Sequence, residues 1–186
     1  LQLVAGSPIL EIDIAVDNTV DDHRLRLGVN VPMRAEAIHC AAPFQVIERP
    51  LRLPDGKQWQ QPPASTHPFQ DWLAVQDARR GLAVFAPGLR EVEARPSRQG
   101  TTLFITLLRS VQWLSRDDLS TRRGEAGPKW QVQGARQLGR TAFRIGLHPY
   151  ADAWADGDVV RCAEEHVVPP RWIVVPSHTD ENSASD

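Results

Sequence analysis

The sequence predicts an all-β protein, built as a large antiparallel β-sandwich. Three observations carry this expectation. Short runs of alternating or continuous apolar residues recur along the chain, each about the length of a strand. Fifteen prolines and twelve glycines cut between them, which favours turns over long helices. Helical periodicity is weak and sits only around Asp152–Trp154.

The elements follow in chain order. Ile9–Val16 and His23–Val31 come first, and Leu25–Val31 within the second alternates apolar with polar as a half-buried strand should. Phe44–Ile47, Trp72–Val75, Leu82–Phe85 and Glu91–Ala94 are short strand candidates bounded by Pro or Gly signals. Leu103–Leu114, LFITLLRSVQWL, contains the strand Leu103–Leu108 and reads as buried in a sheet throughout. Ala142–Leu147 is the last strand candidate. Pro50–Pro68 is rich in Pro and Gln and too long for a hairpin turn, which marks it as an ordered loop. The polar stretch Ser177–Asp186 has too little apolar content to fold and is expected to be disordered. Residues 1–176 then form one domain, a size that buries a substantial core.

Composition excludes several classes. The net charge of -2 and pI near 6.3 leave no electrostatic footprint for nucleic acid. No apolar run is long enough to span a bilayer, and the first residues lack the basic start of a signal peptide. The expected setting is soluble and cytoplasmic. Cys40 and Cys162 are too few for a disulfide framework and are expected as buried, reduced thiols. The chain opens on a strand-like run without Met, which suggests a piece cut from a longer protein.

The densest polar segment is Ser115–Gly127, SRDDLSTRRGEAG, at the end of the most apolar strand. It places Arg116, Asp117, Asp118, Arg122 and Arg123 in one loop, where a rigid scaffold can present binding groups. A guanidinium is a planar fork of donors suited to sugar hydroxyls or a carboxylate. The competing reading is a solvated loop, or ion pairs to another domain. Asp21, Asp22 and His23 could ligate a metal by type. Adjacent strand residues point to opposite faces, so a hydrogen-bonded strand start is the better reading. Asp117 with Asp118, or Glu48 with Glu91, could be proposed as an acid–base pair, but adjacency gives no geometry and we reject an independent hydrolase site. Of the six tryptophans, Trp72, Trp113 and Trp130 lie beside apolar strand patterns and are expected in the core. Trp59, in the Pro- and Gln-rich loop, is the expected exposed platform. His39, His67 and His148 form no pattern that favours an epimerase-like site.

Six motifs in order, DNTVDDHRLRL, APFQVIERP, HPFQDWLAVQD, GLAVFAPGLREVEA, LFITLLRSVQWLSRDDLSTRRGEAGP and LGRTAFRIGLHPY, cover Asp17 to Tyr150. In this order they resemble the C-terminal β-domain of glycoside hydrolase family 38, the α-mannosidases, especially their bacterial branch. The resemblance implies a supersandwich of the galactose mutarotase type. It implies a zinc-dependent, retaining parent enzyme whose zinc ligands and aspartate nucleophile lie in an N-terminal catalytic domain. This chain would then carry no catalytic residue, cofactor or metal of its own. It would support that domain and lend the Asp117–Gly124 loop to the rim of the sugar cleft. Its partners would be its own N-terminal domain and mannosides or mannose-containing oligosaccharides, with no nucleic acid or membrane, and with a homo-oligomer of the parent compatible. Two departures stand out. The Asp-Asp…Arg-Gly spacing is two residues longer than in relatives, and Arg136 stands where relatives carry Gln. Relatives also continue into further strands after the position of Pro176. The alternative from another class is a stand-alone carbohydrate-binding or interaction module.

Overall fold

The computed structural model describes residues 1–59, 61–119, 124–125 and 127–174. The expected tail Ser177–Asp186 lies outside the described residues, as do Arg122 and Arg123. Strands β1 (Gln2–Leu3), β2 (Leu10–Asn18), β3 (His23–Val31), β4 (Ala37–Ala42), β5 (Gln45–Pro50) and β6 (Thr66–Pro68) come first. They are followed by β7 (Trp72–Gln76), β8 (Arg80–Phe85), β9 (Glu91–Ser97), β10 (Gly100–Ser110) and β11 (Gly139–Ala151). Every pairing between them is antiparallel. A seven-stranded sheet runs β1-β2-β11-β8-β7-β4-β5, and a four-stranded sheet runs β3-β10-β9-β6. This is the β-sandwich that the alternating runs predict.

The main core lies between the two sheets. Ile38 and Cys40 of β4, Leu73 and Val75 of β7, Val84 of β8 and Ile145 of β11 meet Val92 of β9 and Leu103 and Ile105 of β10. Period-2 alternation puts the intervening residues on the opposite face. On β7 and β8 these are Trp72, Ala74, Ala83 and Phe85, and they are buried too. They pack under the one helix described, α1 (Val159–Val167), through Val159, Cys162 and Ala163. That second cover explains why WLAV and LAVF read as continuous apolar runs: both faces are out of water.

The structure moves several elements. Asp152–Trp154 is no helix; Asp152 and Asp158 both take positive φ (60° and 55°), and α1 starts only after Asp158. The buried positions 159, 162, 163 and 166 then give the one apolar stripe of an amphipathic helix. Phe44 is not a strand residue but a turn residue at φ 65°, fully exposed between β4 and β5. The run LFITLLRSVQWL leaves the sheet after Ser110. Cys40 and Cys162 are buried free thiols, on opposite faces of the large sheet. Burial pushes the Cys40 thiol up to about 11.

Candidate functional site at the loop after strand β10

Two elements anchor the polar loop. The first is the turn between β2 and β3. Asn18 closes β2, and its side-chain amide donates to Gln137 O (2.8 Å). Asp21 receives a bidentate fork from Arg136, Nε to Oδ1 at 2.9 Å and Nη2 to Oδ2 at 2.5 Å. Asp22 turns the chain at φ 52° and accepts from the Gln112 backbone N (3.0 Å) and side-chain amide (3.1 Å). Asp21 and Asp22 are therefore structural clamps at a strand start. Arg136, the departure from the expected Gln, is the partner that holds Asp21.

The second anchor is the base of the loop itself. Val111 N donates to Ala135 O (3.0 Å), Val132 N to Gln112 O (2.8 Å) and Leu114 N to Trp130 O (2.8 Å). Trp113 pairs with Gln131 as an antiparallel bridge. A 3₁₀ turn, Gln133–Arg136, then returns the chain to β11. Buried Ser110 Oγ donates to Arg136 O and lies 3.3 Å from Val20 O. The excursion is thus pinned at its neck, just past the end of β10.

Among the described residues of the loop, charges neutralise one another in dyads. Arg116 grips Asp118 with two hydrogen bonds (2.8 and 2.6 Å), and its Nη1 stands 3.8 Å from Asp22. Lys129 Nζ bonds Asp117 Oδ2 at 2.5 Å and stands 3.7 Å from Glu125. The Lys129 hydrogen bond holds the Asp117 carboxyl below its ordinary range, and the Arg116 hydrogen bonds do the same for Asp118. Both carboxylates are ionised acceptors at neutral pH and unsuited to donating a proton. Glu48 and Glu91 do not meet either: Glu48 sits on β5 beside His39, and Glu91 on β9 with Arg24 and Thr106. Lys129 is the residue that sequence reasoning passed over. Its signal was weak: one of only two lysines, in the loop's descending arm.

Trp113 stands between two hollows. An open groove of about 620 Å³ is lined by Asp22, His23, Arg109, Trp113, Leu114 and Leu119. A smaller one of about 300 Å³ is lined by Trp113, Ser115, Arg116, Asp117, Asp118 and Lys129. An aromatic face beside fixed polar groups can take a sugar ring. Trp72 is buried as expected, but Trp113 is only half-buried and Trp130 is 67% exposed, which corrects the expectation that both are core. Its neighbour Lys129 faces the loop, so the strand pattern around it is a paired loop arm and not a sheet. Trp59 is exposed, as expected. Among the described residues no group of three or more His, Cys, Asp or Glu could hold a metal ion, and no helix is long and apolar enough to cross a membrane.

Comparisons with known proteins place this fold. The profile of the glycosyl hydrolases family 38 C-terminal domain matches residues 1–120. A Halalkalibacterium halodurans protein named "Putative mannosylglycerate hydrolase" is 36% identical over 112 residues, 60% of this chain and 12% of its own length. A solved structure of a glycosyl hydrolase family 38 protein from Enterococcus faecalis superposes with a TM-score of 0.71 at 22% identity, covering 90% of this chain and 17% of its own. A solved α-mannosidase from Enterococcus faecalis V583 gives 0.72 at 24% identity, covering 88% and 17%. The chain therefore spans under a fifth of the length of each of these relatives. With the profile matched over most of its length, the chain belongs to glycosyl hydrolase family 38, and its β-sandwich is that family's C-terminal domain.

Proposed function

We propose that this chain is the non-catalytic C-terminal domain of a zinc-dependent, retaining α-mannosidase. It supports the N-terminal catalytic domain and lends the loop after β10 to the rim of the sugar cleft. The observation that carries the reading is the family 38 C-terminal match over residues 1–120. In a retaining enzyme one carboxylate forms a glycosyl-enzyme bond while another serves as acid and then base. Asp117 and Asp118 are held as ionised partners of Lys129 and Arg116, which suits shaping a rim and not that chemistry. Zinc, when bound, would hold sugar hydroxyls and stabilise developing charge. The described residues of this chain do not fit a zinc site, since no three ligand-type side chains converge. On the family resemblance, the reading assigns the zinc to residues of the catalytic domain. The substrate class is α-mannosides, and the named relative makes mannosylglycerate one of those to assay.

The test is hydrolysis of 4-nitrophenyl α-mannoside, with added zinc, by this chain and by the full-length parent. Turnover by the parent alone is the expected result. Turnover by this chain alone would place the catalytic centre within it and sink the reading. Sugar binding by this chain with an inactive parent would favour a stand-alone binding module.

A further inference from the structure

One flank of the sandwich is left open. Strand β2 pairs along its full length with β11, from Leu10↔Leu147 to Asn18↔Gly139. On its other side only Leu10 and Glu11 are paired, by the two-residue β1. Among the described residues nothing pairs with that side of Ile12–Asn18. This edge has no proline and no bulge, and only Asp13 and Asp17 on its exposed face guard it. The core behind it is thin. Ile12, Ile14 and Phe143, which face the main core from β2 and β11, are only partly buried, whereas Leu73, Val75 and Val84 farther along the same sheet are fully buried. Leu3 of β1 stands opposite core-facing Leu10 yet is 70% exposed, and Leu1, just before the strand, is 90% exposed.

We propose that an extended segment of the parent polypeptide closes this flank: the residues immediately N-terminal to Leu1, adding to the free edge of β2 as a continuation of β1. The inference rests on the reading of the chain as one domain of a longer family 38 enzyme. The relatives supply the length, since this chain spans only 12% to 17% of theirs. The register supplies the direction. β1 runs antiparallel to β2 with Gln2 opposite Glu11 and Leu3 opposite Leu10, so Leu1 points the chain toward Ile12 and along the open edge. In that register the six residues before Leu1 stand opposite Asp13 to Asn18. Directly opposed residues share a face. The second and fourth residues upstream of Leu1 then face the core beside Ile14 and Val16 and are apolar. The first, third and fifth lie beside Asp13, Ala15 and Asp17 and are polar or basic. The added backbone hydrogen bonds provide affinity, as in other strand additions.

The test uses the full-length parent. One variant carries a cysteine at the residue immediately before Leu1 together with Asp13→Cys. A control carries Leu3→Cys with Leu10→Cys, a pair already in register. Opposed cross-strand positions come close enough for a disulfide, and positions a few residues away do not. Mild oxidation is expected to link both pairs within one chain. The inference is overturned if only the control links, if neither does, or if the upstream pair links only between two chains, which would assign the edge to a second copy. As a second readout, the edge-facing amides of Ile12–Asp17 in the parent should exchange about tenfold or more slowly than those of an unpaired edge; solvent-like exchange overturns the inference. Neither readout uses turnover. An inactive parent with a closed edge removes the mannosidase reading alone, and an active parent with an open edge removes this inference alone.

Discussion

Glu93 shows what one residue can carry in this sandwich. It lies on β9 with its side chain turned to the outer face of the small sheet, yet it is 2% exposed. Arg26 (2.6 Å), Arg95 (2.9 Å) and Ser65 all donate to it, and Arg26 and Arg95 also lie over the ring of Phe104, its cross-strand neighbour. Burial alone would raise its carboxyl, but the hydrogen bonds from Ser65, Arg95 and Arg26 outweigh that and bring it from 4.5 to about 2. The folded state thus prefers the charged form. Its stabilising contribution is present above pH 4.5 and is lost as pH falls toward 2. Glu93→Gln is expected to cost about 3 kcal/mol in urea unfolding at pH 7, because it leaves buried arginine donors without their charge partner. Its stability should also fall less than the wild type's below pH 4.5. Parallel pH curves for the two proteins would rule out this role. In the loop, Arg123→Ala in the parent is expected to lower kcat/KM by roughly tenfold to a hundredfold, the size of one or two lost charge-assisted hydrogen bonds. Unchanged kinetics would reduce Arg123 to a surface charge.

Helix α1 is tied to pH through one histidine. Its stripe ends in His166, buried against Phe85 with ring centroids 5.6 Å apart. His166 Nδ1 lies 3.2 Å from Glu11 of β2, while its Nε2 is buried without a partner. Glu11 is shared with Arg144 of β11, which forks it at 3.2 Å. Burial lowers the His166 affinity for a proton; Glu11 opposes that effect and Arg144 adds to it. A histidine whose folded value is depressed stabilises the fold above its ordinary value of 6.5 and destabilises it as pH falls below. Amide protection across Val159–Val167 should therefore fall, relative to β7 and β8, as pH drops from 7 to 5. His166→Phe should remove most of that pH dependence. Equal loss of protection in the helix and the central strands would show that the helix does not respond to His166.

For the whole molecule, the two sheets are unequally covered, and that sets where mutations are felt. Leu73 is fully enclosed, so Leu73→Ala leaves a cavity and should cost about 3 to 4 kcal/mol. Phe143 removes more atoms on truncation but faces the thin flank, and Phe143→Ala should cost only about 1 to 2 kcal/mol in this chain. Thermal or urea unfolding of the two variants decides the order; a larger cost at Phe143 would mean that the flank is closed within the chain itself. The same asymmetry separates the outer faces. The large sheet is capped by α1, and the small sheet shows water a polar face of Arg24, Arg26, Asn30 and Arg95.

The sequence by itself determined the fold class and most strand positions. Alternation in Leu25–Val31 and the apolar runs at Trp72–Val75, Leu82–Phe85 and Leu103–Leu108 are local signals, and period-2 burial is a local property of the backbone. Six motifs in order were enough to indicate the family. The charged loop was legible as a loop, because polar residues with Gly and Pro cannot continue a buried strand. Pairings between distant positions were not legible. Arg136 meets Asp21 from 115 residues away, and Glu93 is enclosed by Arg26 from 67 residues away. Helix α1 was missed because a nine-residue stripe is too short to stand out until a sheet face exists to bury it. Trp130 was misplaced because an apolar residue beside a strand pattern can equally be the arm of a paired loop. Only the tertiary structure decided these, since charge partners, helix docking and exposure depend on which surfaces the sheets bring together.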